Sequence, residues 1–196
     1  MSKLFVDEIV HQSSQGSGTI TIGASGETIN VVGTLQNNGS ALISGITEAD
    51  YYYTNSNISL SAATKTLVTT WARNTQGFKI GTGMSVSSGI WTFPSTGIYL
   101  INVNINYNAS TSSRYVYSEI QSTTDNSTYT TLTRGYTQMY HASSSWWAGN
   151  SISIIFDCTN TTNDKIKILG QSENATTIEG GVNDGSQAVF VKIGDT

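Results

Sequence analysis

The stretch "YHASSSWWAGN", Tyr140 to Asn150, concentrates side chains suited to holding a ligand. Neighbouring residues of an extended chain point opposite ways, so the pair Trp146 and Trp147 turns at least one indole outward. An exposed indole stacks on a sugar ring, and Tyr140, His141 and Asn150 add hydrogen-bonding groups for its hydroxyls. The competing expectation is that one indole plugs the core or a seam between subunits, because tryptophan is highly buried on average. A second cluster, Asp157, Asn160, Asn163 and Asp164, flanks a turn and offers oxygen ligands to Ca2+. Asx turns account for the same residues without a metal.

Catalytic chemistry is harder to find. The 2 histidines, His11 and His141, lie far apart in sequence and lack metal-ligand spacing. There is no Gly-x-Ser-x-Gly, no phosphate loop and no carboxylate pair in a recognisable frame. The single cysteine, Cys158, excludes an internal disulfide and reads as a small buried hydrophobe, since no histidine can be placed beside it. The expectation is a protein that is not an enzyme and that carries no cofactor beyond the Ca2+ considered above.

The elements that must position these residues are strands. In "GIYLINVNINYN", Gly97 to Asn108, Asn102, Asn104, Asn106 and Asn108 alternate with Ile101, Val103, Ile105 and Tyr107. A period of two gives one apolar and one wet face, as in an antiparallel sheet with solvent on one side. Asparagine is a poor strand former, so packing of the apolar face must outweigh local propensity. From Leu67 onward, strand signals recur with turn chemistry between them, as in "PSTG", "NASTSS", "TTDNS", "NTTND" and "EGGVNDGS". Strands are expected near 67–74, 78–80, 89–93, 98–108, 114–123, 128–140, 150–159, 164–171 and 187–193, with no amphipathic helix. The chain is all-β.

Composition bounds the partners. Only 11% of the 196 residues are charged, the net charge is −4, and Gly (19) far outnumbers Pro (1). Ser, Thr and Asn together make up roughly a third of the chain. The nine Lys and Arg residues form no basic stripe, which argues against nucleic-acid binding. No apolar run is long enough for a membrane-spanning helix, so no membrane insertion is expected. The opening "MSKLFVDEIVHQ" lacks the apolar core of a secretion signal, so the protein is expected to be made in the cytoplasm. Sequons at Asn38, Asn57, Asn108, Asn126, Asn160 and Asn174 then carry no inference.

Residues 1–66 differ from the rest. Thr19 to Gly23 and Thr28 to Gly33 are short alternating β units, each closed by glycine, too small to bury a face alone. They suggest a narrow β-structured arm. "GITEADYYYTN", Gly45 to Asn55, is left open between a capped helical turn and a loop bearing a tyrosine cluster. The run Tyr51 to Tyr53 is read as subunit packing.

"WTFPSTGIYLINVNINYN" resembles the signature of the complement C1q head, within the tumour-necrosis-factor-like jelly-roll superfamily. Phe93, Pro94, Gly97 and Tyr99 carry the match, and "SQAVFVKIGDT" is similar to that family's last strand. The resemblance covers residues 67–196 and implies a ten-stranded jelly-roll β-sandwich in a compact homotrimer. It implies that Ile101, Val103 and Ile105 line the core, with Tyr99, Tyr107, Tyr115 and Tyr117 packing in the core or around a threefold axis. Leu4, Val6, Asp7 and Ile9 of the opening phrase resemble the N-termini of structural and fibre proteins of marine tailed bacteriophages.

Together these imply a homotrimeric virion protein of a tailed phage. Residues 1–66 would form an extended arm joining other virion structural proteins. Residues 67–196 would form a displayed head, recognising a host-surface glycan as a fibre or tail tip. A capsid decoration protein bridging shell subunits, or a free bacterial carbohydrate-binding module, are the alternatives.

Overall fold

Gly97–Ala109 runs as one strand of 13 residues. Tyr99, Ile101, Val103, Ile105 and Tyr107 are each at most 1% exposed, and the asparagines take the other face. The computed structural model describes residues 45–77, 79–140 and 146–196, and the two-residue strands β1 (Gln36–Asn37) and β2 (Ser40–Ala41). Those two pair antiparallel within a unit spanning Met1–Ser44. The units Thr19 to Gly23 and Thr28 to Gly33, the phrase Leu4 to Ile9, and His11 lie outside the described residues.

The second unit is Gly45–Thr196. In chain order its strands are β3 (Ala49–Thr54), β4 (Ile58–Leu60), β5 (Thr66–Leu67), β6 (Trp71–Arg73), β7 (Ser85–Ser87), β8 (Ile90–Thr92) and β9 (Gly97–Ala109). They continue as β10 (Ser113–Thr123), β11 (Thr130–Met139), β12 (Trp146–Cys158), β13 (Lys165–Ser172), β14 (Thr176–Ile178) and β15 (Gln187–Gly194). Sheet I runs β12-β9-β15-β3-β6, with β14 and β4 beside the far end of β9. Sheet II runs β11-β10-β13-β8-β7, with β5 on β13. Every pairing is antiparallel, and no helix occurs among the described residues.

The core fills the space between the sheets. Trp91 of β8 is fully buried, with Phe190 at 4.6 Å, Tyr52 at 4.7 Å and Trp71 at 5.5 Å between ring centroids. Phe93 packs on Tyr99 and Phe156 at 4.8 and 5.2 Å. The segment "FPSTGIY" has a clear physical basis. Gly97 adopts φ +142, and a Cβ there would stand 2.7 Å from the Gly194 carbonyl oxygen, so only glycine fits. The Tyr99 hydroxyl donates back to the Ser95 carbonyl at 3.0 Å.

Where β11 meets β12 the two sheets are stitched by a buried polar chain. Tyr107 Oη donates to the Tyr117 carbonyl (2.7 Å) and lies 2.8 Å from Ser118 Oγ. Ser118 Oγ donates to Asn150 Oδ1 (2.6 Å), and Asn150 Nδ2 donates to the Gly135 carbonyl (2.8 Å). Each polar side chain of this network thus keeps a partner, which offsets its desolvation.

Several expectations need correction. The compact unit begins at Gly45, not at Leu67, because β3 pairs with β15 in sheet I and carries the core residue Tyr52. Within "GITEADYYYTN" the tyrosines are therefore on a strand, with only Gly45 to Glu48 and Asn55 outside it. Its tyrosines alternate, with Tyr52 inward and Tyr51 and Tyr53 outward and half-buried. The strand expected over 67–74 is broken into β5 and β6. Of 78–80, Phe78 lies outside the described residues and Ile80 makes only an isolated bridge to Ala49. Thirteen strands are described in this unit rather than ten. The two five-strand runs are extended by the short pieces β4, β5 and β14, which are too brief to show a period.

Candidate functional site

The wet face of β9 is the outer face of sheet I. Across β12 the register pairs Asn102 with Ser153, Asn104 with Ser151, Asn106 with Gly149 and Asn108 with Trp147. Asn102 Nδ2 donates to Ser153 Oγ at 2.8 Å. The face changes character along its length. At one end Val191, Leu100 and Ile155 stand in a cross-strand row, with Val189 and Tyr51 next to it. Leu100 is 40% and Ile155 68% exposed, so this row presents apolar side chains that nothing within the described residues covers.

At the other end stands Trp147. It points outward and is 57% exposed, while Trp146, one residue earlier, takes the inward-facing position at the margin of the sandwich and is 40% exposed. The two indoles thus face opposite ways, and neither plugs the core. Trp147 walls a shallow hollow of about 280 Å³ with Asn106, Ala148, Gly149, Asn183 and Asp184. Gly149 keeps its floor open, since a Cβ there would stand 3.0 Å from Asn106 Oδ1. Asn106 Nδ2 donates to the Asp184 carbonyl at 3.0 Å, which holds the 183–184 loop against the strand. Sequence reasoning missed Asn106, Asn183 and Asp184, because Asn106 comes beside Trp147 through the pairing of β9 with β12, and the 183–184 loop through its bond to Asn106.

The other residues expected near Trp147 disperse. Asn150 points inward and is 9% exposed, committed to Ser118 and Gly135, so it cannot reach a ligand on the outer face. Tyr140 is 79% exposed at the end of β11, and His141 lies outside the described residues.

The oxygen cluster does not assemble into a cation site. Asp164 is buried, and its Oδ2 accepts the backbone N–H groups of Thr159 (2.7 Å) and Asn160 (2.8 Å). Asn160 Oδ1 accepts from Thr162 and Asn163, and Asp157 faces outward from β12. These are turn-forming bonds, whereas Ca2+ needs about six to eight converging oxygens. Among the described residues no group of three or more His, Cys, Asp or Glu side chains converges as metal ligands. Cys158 is fully buried, and burial first, then nearby Asp164, pushes its thiol up to about 11.

The tyrosines separate by sheet. Tyr99 and Tyr107 belong to the core between the two sheets, with hydroxyls bonded internally. Tyr115 and Tyr117 lie on the outer face of sheet II. There Tyr117 packs against Tyr115 at 6.2 Å and Tyr136 at 5.0 Å, and the Arg134 guanidinium sits 5.4 Å over its ring. Beside them Glu119 is fully buried. Its carboxylate accepts from Lys65 Nζ (3.2 Å), Thr131 Oγ1 (2.6 Å), Arg134 Nε (2.5 Å) and Gln121. Burial pushes this carboxyl up, but the bonds from Thr131, Gln121, Arg134 and Lys65 outweigh it and hold it at about 2. No motif in the sequence announces this network, because its members come from β10, β11 and the segment before β5.

Solved structures with this architecture are found among tumour-necrosis-factor proteins. Murine APRIL at pH 5.0 matches with TM-score 0.56 and 17% identity, covering 74% of this chain and 98% of that one. Eiger TNF from S. frugiperda matches with TM-score 0.57 and 15% identity, covering 78% and 96%. No protein-family model and no curated protein matches the chain. At such identities the likeness speaks for architecture alone, and that architecture is a TNF-like jelly roll.

Proposed function

We propose that the protein is a homotrimeric, non-enzymatic structural protein of a tailed-phage virion that displays its jelly-roll unit for recognition of a host-surface glycan. The apolar row Leu100, Ile155 and Val191, with Val189 and Tyr51, carries the self-association. A sheet face with large exposed aliphatic side chains is stable in water when a second copy covers it. The TNF-like fold agrees with such an assembly. Asn102 and Ser153 beside it would then meet sister chains, leaving the Asn106 end of the face open. The Trp147 hollow, with one indole wall and amide and carboxylate groups around it, suits a sugar ring. The N-terminal segment would attach the trimer to other virion proteins.

Light scattering on the full chain tests the assembly. The expected mass is three times 21.0 kDa, falling to 21.0 kDa when Leu100→Asp and Ile155→Asp are combined. A monomeric wild type, or a variant that stays trimeric, refutes the role given to this face. Antibody against the chain should label intact phage particles, and absence of label refutes the virion assignment.

A further inference from the structure

We infer that the outer face of sheet II is a second binding surface, on which an extended acidic polysaccharide lies along the edge strand β11. The inference concerns the opposite sheet from the self-association row and does not depend on it.

Residues Arg134, Tyr136 and Gln138 occupy the same face of β11, and Tyr140 follows at the next such position. Steps of two residues along a strand repeat at roughly 7 Å, so these four side chains mark a line of roughly 20 Å. Tyr136 is 60% and Tyr140 79% exposed, more than either indole of the Trp146–Trp147 pair. A hollow of about 190 Å³ at the Tyr140 end is lined in part by Arg114, Gln138 and Tyr140. Two exposed rings spaced along the strand with the Gln138 amide between them match a chain of rings bearing hydroxyls, not a single terminal sugar.

The surface is also fixed in advance. Tyr136 is held against Tyr117, and Arg134 is tied to Glu119 while covering the Tyr117 ring. Groups already immobilised lose little entropy when a ligand arrives.

The charge on this face selects the ligand class. Lys65, Arg134 and Lys167 stand here, three of the nine basic residues of a chain whose net charge is −4, while Lys165 is buried with its ammonium donating to the Thr161 carbonyl. Against them are the Glu119 carboxylate and, in the adjoining turn, Asp125. The local field is positive and draws an anionic chain. Two of the cations are already engaged by Glu119, and Arg114 is paired with Glu173. That leaves too little free charge for the phosphate density of a nucleic acid and enough for a sparsely charged uronic-acid or sulfated chain.

Native gel electrophoresis of the full-length protein through gels containing polygalacturonate, alginate or chondroitin sulfate tests this, with dextran as the neutral control. The wild type is expected to be retarded by at least one acidic polymer and not by dextran, and the retardation should weaken between about 0.05 and about 0.5 M salt. The double variant Tyr136→Ala/Tyr140→Ala, at exposed positions, should bind about tenfold more weakly while keeping its circular dichroism and its mass. Three outcomes overturn the inference: no retardation by any acidic polymer, full retention in the tyrosine variant, or equal retardation by dextran. Retardation by a single-stranded oligonucleotide in place of the polysaccharides overturns it as well. Scattering mass on the same samples reports separately on the trimer.

Discussion

Replacing Glu119 by glutamine tests the buried network on sheet II. The folded protein holds this carboxyl at about 2, against an ordinary value of 4.5. A difference of about 2.5 units corresponds to about 3 kcal/mol of preference for the ionised form in the folded state. Lys65 and Arg134 are 38% and 37% exposed, so water screens part of this, and about 2 kcal/mol is the working value. The folded-state pKa is depressed, so this stability is fully present above about pH 4.5 and is lost as pH falls toward 2. Glu119→Gln is neutral at every pH. Urea titrations at fixed protein concentration should therefore show the variant about 2 kcal/mol less stable at pH 7, and the two proteins should converge as the pH approaches 2. Asp125 and Glu173, also held low, titrate in both proteins and cancel in the comparison. A difference under about 0.5 kcal/mol at pH 7, or one that stays constant down to pH 2.5, would refute the reasoning.

Tyr107→Phe removes the hydroxyl that bonds the Tyr117 carbonyl and Ser118, and should lower stability by about 1–2 kcal/mol in the same urea assay with an unchanged slope. An unaltered midpoint would show that the buried chain between the sheets does not stabilise them. Cys158, with its thiol pushed up to about 11 by burial, should resist a disulfide-exchange reagent at about pH 8 until denaturant is added. Rapid labelling of the native protein would contradict its place in the core.

Much of the sandwich was legible in the sequence because β9 states its two faces plainly. Each inward residue from Tyr99 to Tyr107 is buried, and the asparagines could only be outward. The short turns rich in Asn, Asp, Ser and Thr located the long strands to within a few residues. What escaped was whatever depends on pairing partners. β3 has three successive tyrosines, so its sequence shows no polar alternation even though its backbone alternates. β4 and β14 have three residues each, below any detectable period. Asn150 looked like a ligand residue because its neighbours were aromatic, but its place on the strand turns it inward. Trp147 could be singled out from its own segment, whereas Asn106 and Asp184, which line the same hollow, could not, since proximity across a sheet leaves no trace in local sequence.

The late strand β15 lies between β9 and β3, hydrogen-bonded to both. A nascent chain emerging from the ribosome must hold β3 and β9 apart, each with an open edge, until residues 187–194 have been made. Closure is thus delayed to the end of this unit's synthesis, and the contacts that complete it are among the most distant in sequence, which slows folding. Meanwhile two unpaired edges are free to find those of a neighbouring chain on the same message. A protein built this way gains from a high local concentration of identical chains only after release, so timing of synthesis bears on yield as much as final stability does.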